Sequence, residues 1–280
     1  MQAYIDQHIR MSLNEDIGKG DYTTIATIPA NQTGQATLLA KDNGILAGID
    51  IAKRVFQIYD EKIEFIHLKN EGDLITPGDK LAILKGPSRS LLTAERLALN
   101  YAQRMSGIAT MTRTYVDAIE GTGAKVLDTR KTTPNLRLLE KIAVNIGGGH
   151  NHRFGLFDMI LIKDNHIDYA GGVDKALNQV NEFLVQNNMK LNIEIETRNF
   201  DEIEAVLSNG KCQRIMLDNF SVKDTKKAVK LINNRFEVET SGGINLETIR
   251  DYAECGVNFI SVGALTHQMR SLDLSLNAEI

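Results

Sequence analysis

Six short apolar segments in the second half of the chain constrain the fold more than any other feature. They are KVLDT (125–129), MILIK (159–163), LNIEIE (191–196), RIMLD (214–218), FEVET (236–240) and NFISV (258–262). The last four begin 23, 22 and 22 residues apart, which leaves room for one strand and one helix each time. Strands that alternate with helices imply a parallel sheet, and the regular spacing predicts an α/β barrel. A doubly wound sheet is the alternative, but no GxGxxG follows the first strand and no GxxxxGK[ST] occurs.

The first part of the chain follows another pattern, in which strand-like segments dominate. Turn signals separate these segments, and the predicted elements are strands at 34–48, 62–69 and 80–86 and a helix at about 50–59. This pattern predicts a small α+β domain with a mostly antiparallel sheet. A helical pattern follows from Ser90 to about Glu120. We therefore predict two domains, 1–110 with a leading helix and 111–280.

Segment 71–86 resembles the hammerhead turn of biotinyl and lipoyl carrier domains. Those domains carry a modifiable Lys at a hairpin tip, and no such tip is found here. A structural module is therefore favoured over a carrier.

Composition excludes several classes of protein. The chain has 280 residues, 42% hydrophobic and 24% charged, and a formal net charge of -4, which is typical of a globular protein. Its acidic balance disfavours a nucleic-acid-binding protein, and no apolar run is long enough to span a bilayer. The first 30 residues contain no apolar signal core. Cys212 and Cys255 are far apart and lack metal-ligand spacing, so we expect reduced thiols and a cytoplasmic location.

The segment from Lys125 to His166 is locally basic. It contains seven Lys and Arg residues, four Asp and Glu residues and three His residues around a Gly-Gly-Gly turn. Charge alone favours a solvated basic face. Because Arg side chains match carboxylate and phosphate oxygens bidentately, the surrounding glycines, histidines and apolar strands favour a site for a small, multiply anionic ligand.

Polar residues follow five of the six predicted strands, where a parallel barrel binds its ligand. Glu196 and Asp218 end successive strands, and they suit either Mg²⁺ shared with a diphosphate or pairing with nearby Arg and Lys. Ser241-Gly242-Gly243 and Gly263-Ala264 follow the last two strands, which is typical of a phosphate site or of tight turns. Lys163 ends an apolar strand and could form a Schiff base or supply positive charge.

Several motifs together resemble the quinolinate phosphoribosyltransferase family. They are EDIGKGDYTT (15–24), TAERLALNYAQRMSGIAT (93–110), DTRKTTPNLRLLEKIAVNIGGGHNHR (128–153), LIKDNH (161–166), IEIE (193–196), LDN (217–219), SGGI (241–244) and VGALTH (262–267). One departure is Asn135, where the family often has Gly, although Asn tolerates a left-handed backbone. The resemblance implies an N-terminal α/β sandwich domain and a C-terminal parallel α/β barrel, an incomplete TIM-like barrel. It also implies a homodimer, or a higher oligomer built from it, whose site is shared between subunits.

The resemblance also implies a role for each site residue. The residues expected to hold the carboxylates of quinolinate are Arg130, His152, Arg153, Lys163 and, from the neighbouring subunit, Arg96. Lys131 is expected near substrate and diphosphate, and Glu196 and Asp218 near the ribose hydroxyls and Mg²⁺. The residues expected to cradle the 5-phosphate are Ser241, Gly242, Gly243, Gly263 and Ala264.

The implied reaction joins quinolinate to phosphoribosyl pyrophosphate (PRPP) and yields nicotinate mononucleotide, diphosphate and CO₂, a step of NAD biosynthesis. Three alternatives remain open at this point. They are a related pyrophosphorylase of the same fold, such as the paralogue associated with molybdate transport, a Schiff-base aldolase that uses Lys163, and a carrier module.

Overall fold

A computed structural model describes residues 1–279, which divide into two compact units. The first unit comprises Met1–Met111, Asn145–Gly147 and the segment that begins at Met269, and the second comprises Thr112–Val144 and Gly148–Gln268. The elements up to residue 118 are α1 (Gln2–Ile17), α2 (Tyr22–Thr27), β1 (Thr33–Ala40), β2 (Gly44–Ile45), α3 (Ile49–Tyr59), β3 (Glu64–His67), β4 (Leu74–Ile75), β5 (Lys80–Pro87) and α4 (Ser88–Ala118).

Strands and helices alternate through the rest of the chain. The elements are β6 (Lys125–Leu127), α5 (Arg137–Ile146), β7 (Ile160–Ile162), α6 (Asp164–Ala170), α7 (Val173–Gln186), β8 (Ile193–Thr197), α8 (Phe200–Asn209), β9 (Arg214–Asp218), α9 (Val222–Ile232), β10 (Glu237–Ser241), α10 (Ile249–Ala253), β11 (Phe259–Ser261), α11 (Ala264–His267) and β12 (Leu274–Glu279). Each of the six apolar segments therefore corresponds to one strand, from β6 to β11, as predicted.

The first unit is built on an antiparallel sheet in the order β12-β1-β5-β3. Helix α3 matches the predicted helix and buries Ile49, Ala52, Val55 and Phe56, which recur at helical spacing along one face. The antiparallel pairing confirms the α+β architecture predicted for this part of the chain.

Strand β12 differs from the predicted division at residue 110, which assigns everything from 111 onward to the barrel domain. This strand pairs with β1 instead, with Leu276 opposite Leu38 and Leu274 opposite Ala40. Leu272 and Leu274 are buried and alternate with polar residues, so the end of the described chain has the period of a strand with one apolar face. Pairing with β1 buries that face.

The second unit contains a parallel sheet in the order β6-β11-β10-β9-β8-β7, with six strands among residues 1–279. Every residue of β8 is buried, as expected for a strand covered on both faces. Helices connect successive strands, which confirms the parallel α/β fold with fewer strands than the eight of a TIM barrel. All six strands point the same way, so the residues that follow them meet at one edge.

Two smaller expectations are also met. Asn135 has a left-handed backbone with φ of 65°, the conformation for which a Gly would otherwise be favoured. Cys212 and Cys255 are free and buried. Within residues 1–279, no helix combines the length and apolar character that crossing a membrane requires.

Candidate active site

A cavity of about 870 Å³ lies at the carboxyl ends of the parallel strands. It is lined by basic residues that the sequence predicted, namely Arg130, Lys131, His152, Arg153 and Lys163. It is also lined by predicted carboxylates and phosphate-binding residues, namely Glu196, Asp218, Ser241, Gly242, Gly243, Gly263 and Ala264. The second unit therefore brings the two predicted groups, the cations and the turn residues, into one cavity.

Lys163 faces Glu196 across neighbouring strands. The Lys163 Nζ lies 2.7 Å from Glu196 Oε2, and the Lys side chain is 46% exposed while the Glu side chain is 7% exposed. The Lys163 main-chain N–H donates to His166 Nδ1 at 2.9 Å and so fixes the start of α6. A Schiff base requires the Lys amine to be free to attack a carbonyl, whereas Lys163 Nζ is paired with the Glu196 carboxylate. The geometry therefore favours a cationic binding role.

The triglycine turn packs tightly before the HNHR segment. A Cβ on Gly149 would lie 2.7 Å from Thr112 Cγ2 and 2.9 Å from Val144 Cγ1, so only Gly fits. The next residue, His150, forms main-chain hydrogen bonds with Val126 (2.8 Å) and Asp128 (3.0 Å) of the β6 segment. This extra pairing at the end of β6 carries the chain into the cavity at Arg153.

Arg130 and Arg153 concentrate positive charge in the cavity. Burial lowers the pKa of Arg153, and repulsion from Arg130 adds to this effect. The Arg153 Nη1 donates to the Met159 carbonyl at 3.2 Å, which anchors one side of the guanidinium. Two neighbouring guanidinium groups are stabilised by an anionic ligand, because it neutralises their mutual repulsion.

His152 lines the same cavity, but its two ring nitrogens face protein groups. Nδ1 accepts a hydrogen bond from the Arg153 main-chain N–H at 2.7 Å, and Nε2 lies 3.0 Å from Glu194 Oε2. The side chain is only 6% exposed, and burial lowers its pKa. Its predicted contact with substrate carboxylates stays a prediction.

Glu194 and Glu239 are fully buried, and their carboxyl groups both face His152 Nε2, at 3.0 Å and 3.6 Å. Burial, reinforced by the neighbouring Glu194 charge, raises the pKa of Glu239 to about 8, and burial also raises the pKa of Glu194. Arg214 partly compensates this charge because its Nη1 lies 3.0 Å from Glu239 Oε2. Glu194 thus packs against His152 beneath the cavity instead of lining it.

Asp218 and the turn after β10 form the opposite side of the cavity. Asp218 pairs in register with Ser241, whose hydroxyl donates to Asp218 Oδ1 at 2.8 Å, and Asn219 Nδ2 donates to Oδ2 at 2.7 Å. Gly242 has φ of +97°, and a Cβ there would lie 2.1 Å from Asn219 Oδ1. The chain therefore passes Asn219 at a distance that only Gly permits, which leaves main-chain groups accessible.

Gly263 brings Lys131 close to the turn that follows β11. A Cβ on Gly263 would lie 3.2 Å from Lys131 Cδ and 3.0 Å from His267 Nε2. The Lys131 carbonyl accepts a hydrogen bond from the Thr266 hydroxyl at 2.8 Å. This contact joins the basic segment after β6 to the glycine turn after β11.

Several residues that line the cavity were not predicted from the sequence. They are Asn219, Asn245, Ser261, His267 and Gln268. Asn219 and His267 belong to the LDN and VGALTH motifs, and this membership is the sequence signal that could have identified them as site residues. Arg96 is an exposed residue of α4 in the first unit, and its role stays a prediction.

The fold and the cavity together define an α/β-barrel protein whose cavity suits a small ligand with both carboxylate and phosphate character. Comparisons with known proteins agree. A family model described as quinolinate phosphoribosyl transferase, C-terminal domain, matches residues 108–277, and the model of the N-terminal domain matches residues 21–106. The chain belongs to the quinolinate phosphoribosyl transferase family.

Individual relatives are similar over nearly the whole chain. Quinolinate phosphoribosyltransferase [decarboxylating] 1b of Nicotiana tabacum is 46% identical over 97% of this chain and 81% of its own length. A probable nicotinate-nucleotide pyrophosphorylase [carboxylating] of Bacillus subtilis is 42% identical over 95% of this chain and 90% of its own. The structure of the nicotinate-nucleotide pyrophosphorylase from Francisella tularensis superimposes with a TM-score of 0.94, at 38% identity, over 100% of this chain and 97% of that one.

Proposed function

We propose that this chain transfers the phosphoribosyl group of PRPP to quinolinate with decarboxylation, as a nicotinate-nucleotide diphosphorylase (carboxylating). The products are nicotinate mononucleotide, diphosphate and CO₂, in a step of de novo NAD biosynthesis. Relatives that match nearly the whole chain are named for this activity. The observation that carries the proposal is the single cavity in which a cationic side faces a glycine-lined side.

The cationic side suits the acceptor, quinolinate, which carries two adjacent carboxylates on a pyridine ring. Arg130, Arg153 and Lys163 supply the charge, and His152 belongs to the same segment as Arg153. Guanidinium groups bind carboxylates with two parallel hydrogen bonds and so orient the ring as well as holding it. The proposed reaction requires the ring nitrogen to face ribose C1, which such an orientation would allow.

The glycine-lined side suits the phosphoribosyl donor. Ser241, Gly242, Gly243, Gly263 and Ala264 provide main-chain N–H groups and a hydroxyl for the 5-phosphate. Lys131, next to Gly263, provides positive charge toward the phosphates of the donor. Preorganised donors of this kind need little rearrangement as charge develops in the reaction.

Glu196 and Asp218 suit the ribose hydroxyls and Mg²⁺. Proteins usually bind Mg²⁺ through one or two carboxylates together with substrate phosphates, and these two carboxylates line the cavity. Each accepts hydrogen bonds from protein groups, but a carboxylate has about four lone-pair sites, so both retain free ones. The residues present therefore fit the ion, which would stabilise negative charge on the diphosphate.

The chemistry proceeds by bond exchange at the ribose and then at the ring. The ring nitrogen forms a bond to ribose C1 as the bond from C1 to the diphosphate oxygen breaks, and Glu196 and Asp218 stabilise the positive charge on the ribosyl centre. The nitrogen is then cationic. It stabilises the electron pair left on the adjacent carbon when CO₂ departs, and a proton from solvent adds to that carbon.

The assembly and location are further parts of the proposal. A homodimer, alone or within a higher oligomer, would let the exposed Arg96 of one subunit complete the cavity of the other. The free, buried thiols of Cys212 and Cys255 support a cytoplasmic location.

The test is a substrate panel analysed by mass spectrometry. The full chain is incubated with PRPP and Mg²⁺ and with quinolinate, nicotinate or another pyridine carboxylate. Of these acceptors, we expect only quinolinate to give nicotinate mononucleotide, with diphosphate formed in equal amount. A ribosylated product from another acceptor, with none from quinolinate, would instead indicate a related pyrophosphorylase of the same fold.

A further inference from the structure

His152, Glu194 and Glu239 form a buried cluster at the base of the cavity, and each residue is supplied by a different segment. Their ligand atoms all lie within 4.8 Å of one another. His152 Nε2 is 3.0 Å from Glu194 Oε2 and 3.6 Å from Glu239 Oε1. Two carboxylates and one imidazole form a ligand set that is typical of metal sites.

The other ring nitrogen of His152 excludes that interpretation. Nδ1 accepts the Arg153 main-chain N–H at 2.7 Å, so its lone pair is occupied and it carries no proton. A neutral imidazole with a bare Nδ1 holds its proton on Nε2, and a protonated Nε2 has no lone pair for a metal ion. The Arg214 guanidinium, 3.0 Å from Glu239 Oε2, further opposes a cation. The cluster therefore fixes a histidine tautomer.

The main chain of His152 is held as firmly as its ring. Its N–H donates to Asp128 Oδ1 at 2.8 Å, and its carbonyl accepts from Lys141 Nζ at 2.9 Å. Asp128 and Lys141 form an ion pair of 2.5 Å, with side chains 0% and 3% exposed. His152 Nδ1 accepts a hydrogen bond from the main-chain N–H of the next residue, Arg153, and so links this buried cluster to a cationic residue of the cavity.

We propose that Glu194 and Glu239 are positioning residues, which keep the proton of His152 on Nε2 so that Nδ1 fixes the main chain of Arg153. This inference rests on the proposed function, in which Arg153 binds a carboxylate of quinolinate. The two carboxyl groups lie 3.0 Å and 3.6 Å from Nε2, where they favour a proton on that atom, and Arg214 and the Ser261 hydroxyl hold Glu239 in place. Second-sphere groups that orient a histidine act in the same way in metal sites.

The tautomer can be measured directly in the full chain. We would label the histidines with ¹⁵N and record two-bond ¹H–¹⁵N correlations of the six imidazoles; the His152→Asn spectrum assigns the signals of His152. We expect a neutral ring with the proton on Nε2. A ring protonated on Nδ1, or on both nitrogens, would overturn the proposal. This measurement does not depend on catalysis, so it separates failure of the inference from failure of the proposed function.

Substitutions that mimic one ring nitrogen test the consequence for substrate binding. His152→Asn keeps an acceptor near the position of Nδ1, whereas His152→Gln keeps only a group near Nε2. We expect the KM for quinolinate to be about tenfold lower in His152→Asn than in His152→Gln, since losing a hydrogen bond of the buried main chain costs about 1.4 kcal/mol or more. Equal KM values, or the reverse order, would contradict the role of Nδ1.

The acceptor on Glu194 is tested by a matched pair. Glu194→Gln retains an oxygen that can accept the Nε2 proton, and Glu194→Leu has a similar volume but no acceptor. We expect Glu194→Gln to keep the wild-type tautomer and a lower KM for quinolinate than Glu194→Leu, with kcat changed less than KM. If both variants fold but share one KM, Glu194 does not position His152. If Glu194→Leu fails to fold, the tautomer of His152 in Glu194→Gln decides. A proton on Nε2 supports the role of Glu194, and a proton on Nδ1 contradicts it.

Discussion

Replacement of Gly242 by Ala tests the proposed phosphate site most sharply, because the structure leaves no room for the added methyl group. The Cβ would lie 2.1 Å from Asn219 Oδ1, 2.6 Å from its Cγ and 3.0 Å from its main-chain N. Rotation of the Asn219 side chain cannot relieve the last contact. The Ala would also adopt φ of +97°, a conformation that costs about 1–3 kcal/mol for a residue other than Gly.

The added methyl group would disturb the proposed phosphate site by displacing Asn219. This residue donates its main-chain N–H to the Ser241 carbonyl at 2.9 Å and its side-chain amide to Asp218 at 2.7 Å. A displaced turn loses at least one charge-assisted hydrogen bond to phosphate, worth about 1.5–3 kcal/mol, or roughly 10- to 150-fold in affinity. We expect the KM for PRPP to rise by about this factor, with a smaller change in the KM for quinolinate.

Steady-state kinetics with each substrate varied in turn provides the assay, and Gly210→Ala provides the control. Gly210 also has a positive φ, of +75°, but a Cβ there meets nothing within 4 Å, and it caps α8 away from the residues that line the cavity. This control should lose about 1 kcal/mol of stability with both KM values unchanged. A Gly242→Ala enzyme whose KM for PRPP stays within about twofold of wild type would refute the reasoning.

Three further predictions concern stability and assembly. Burial raises the pKa of Glu239 from 4.5 to about 8, so between these pH values the folded state holds a proton that the unfolded state releases, and stability should fall as the pH rises. Thermal melts of Glu239→Gln should lose this pH dependence. A melting temperature that varies with pH as steeply in Glu239→Gln as in the wild type would contradict the prediction. Asp128→Asn leaves the buried Lys141 without its partner carboxylate and should lower the free energy of unfolding, measured in denaturant melts, by about 3–5 kcal/mol. The double variant Asp128→Asn/Lys141→Met should lose less stability than the two single variants added together. Additive losses would contradict the pairing of these two side chains. When Arg96→Ala subunits are mixed with Arg130→Ala subunits, the mixed dimers should regain activity, because one of their two cavities then has both arginines. Mixed dimers that form but stay inactive would show that Arg96 does not act across the interface.

The parallel part of the fold was predictable because it depends on local patterns. Each strand from β6 to β11 lies within a short apolar segment or extends one residue beyond it, and the repeat of strand and helix determines which way the strands point. Strand β12 was not predicted. Its partner β1 is more than two hundred residues away, and an alternating pattern shows that a strand exists without showing where it pairs.

The candidate site was predictable at the level of residues but not of orientation. Residues that follow parallel strands must meet at one edge, so Glu196, Asp218 and Ser241 could be grouped from the sequence. The direction of the His152 ring depends on Glu194 and Glu239, which come from other strands, and no local signal at residues 150–153 reveals them. Asn219 was missed as a contact of Gly242 for the same reason, since only the packed turn brings them together.

Release of CO₂ from carboxyl-labelled quinolinate is the measurement that tests the proposed activity most directly. The full chain is incubated with the labelled acid, with and without PRPP and with and without Mg²⁺. The proposed chemistry predicts release only when PRPP is present, because the ring nitrogen must be ribosylated before it can stabilise the electron pair, and greatest release with Mg²⁺. Folded protein that releases no CO₂ with PRPP and Mg²⁺, or releases it equally without PRPP, would contradict the proposed function.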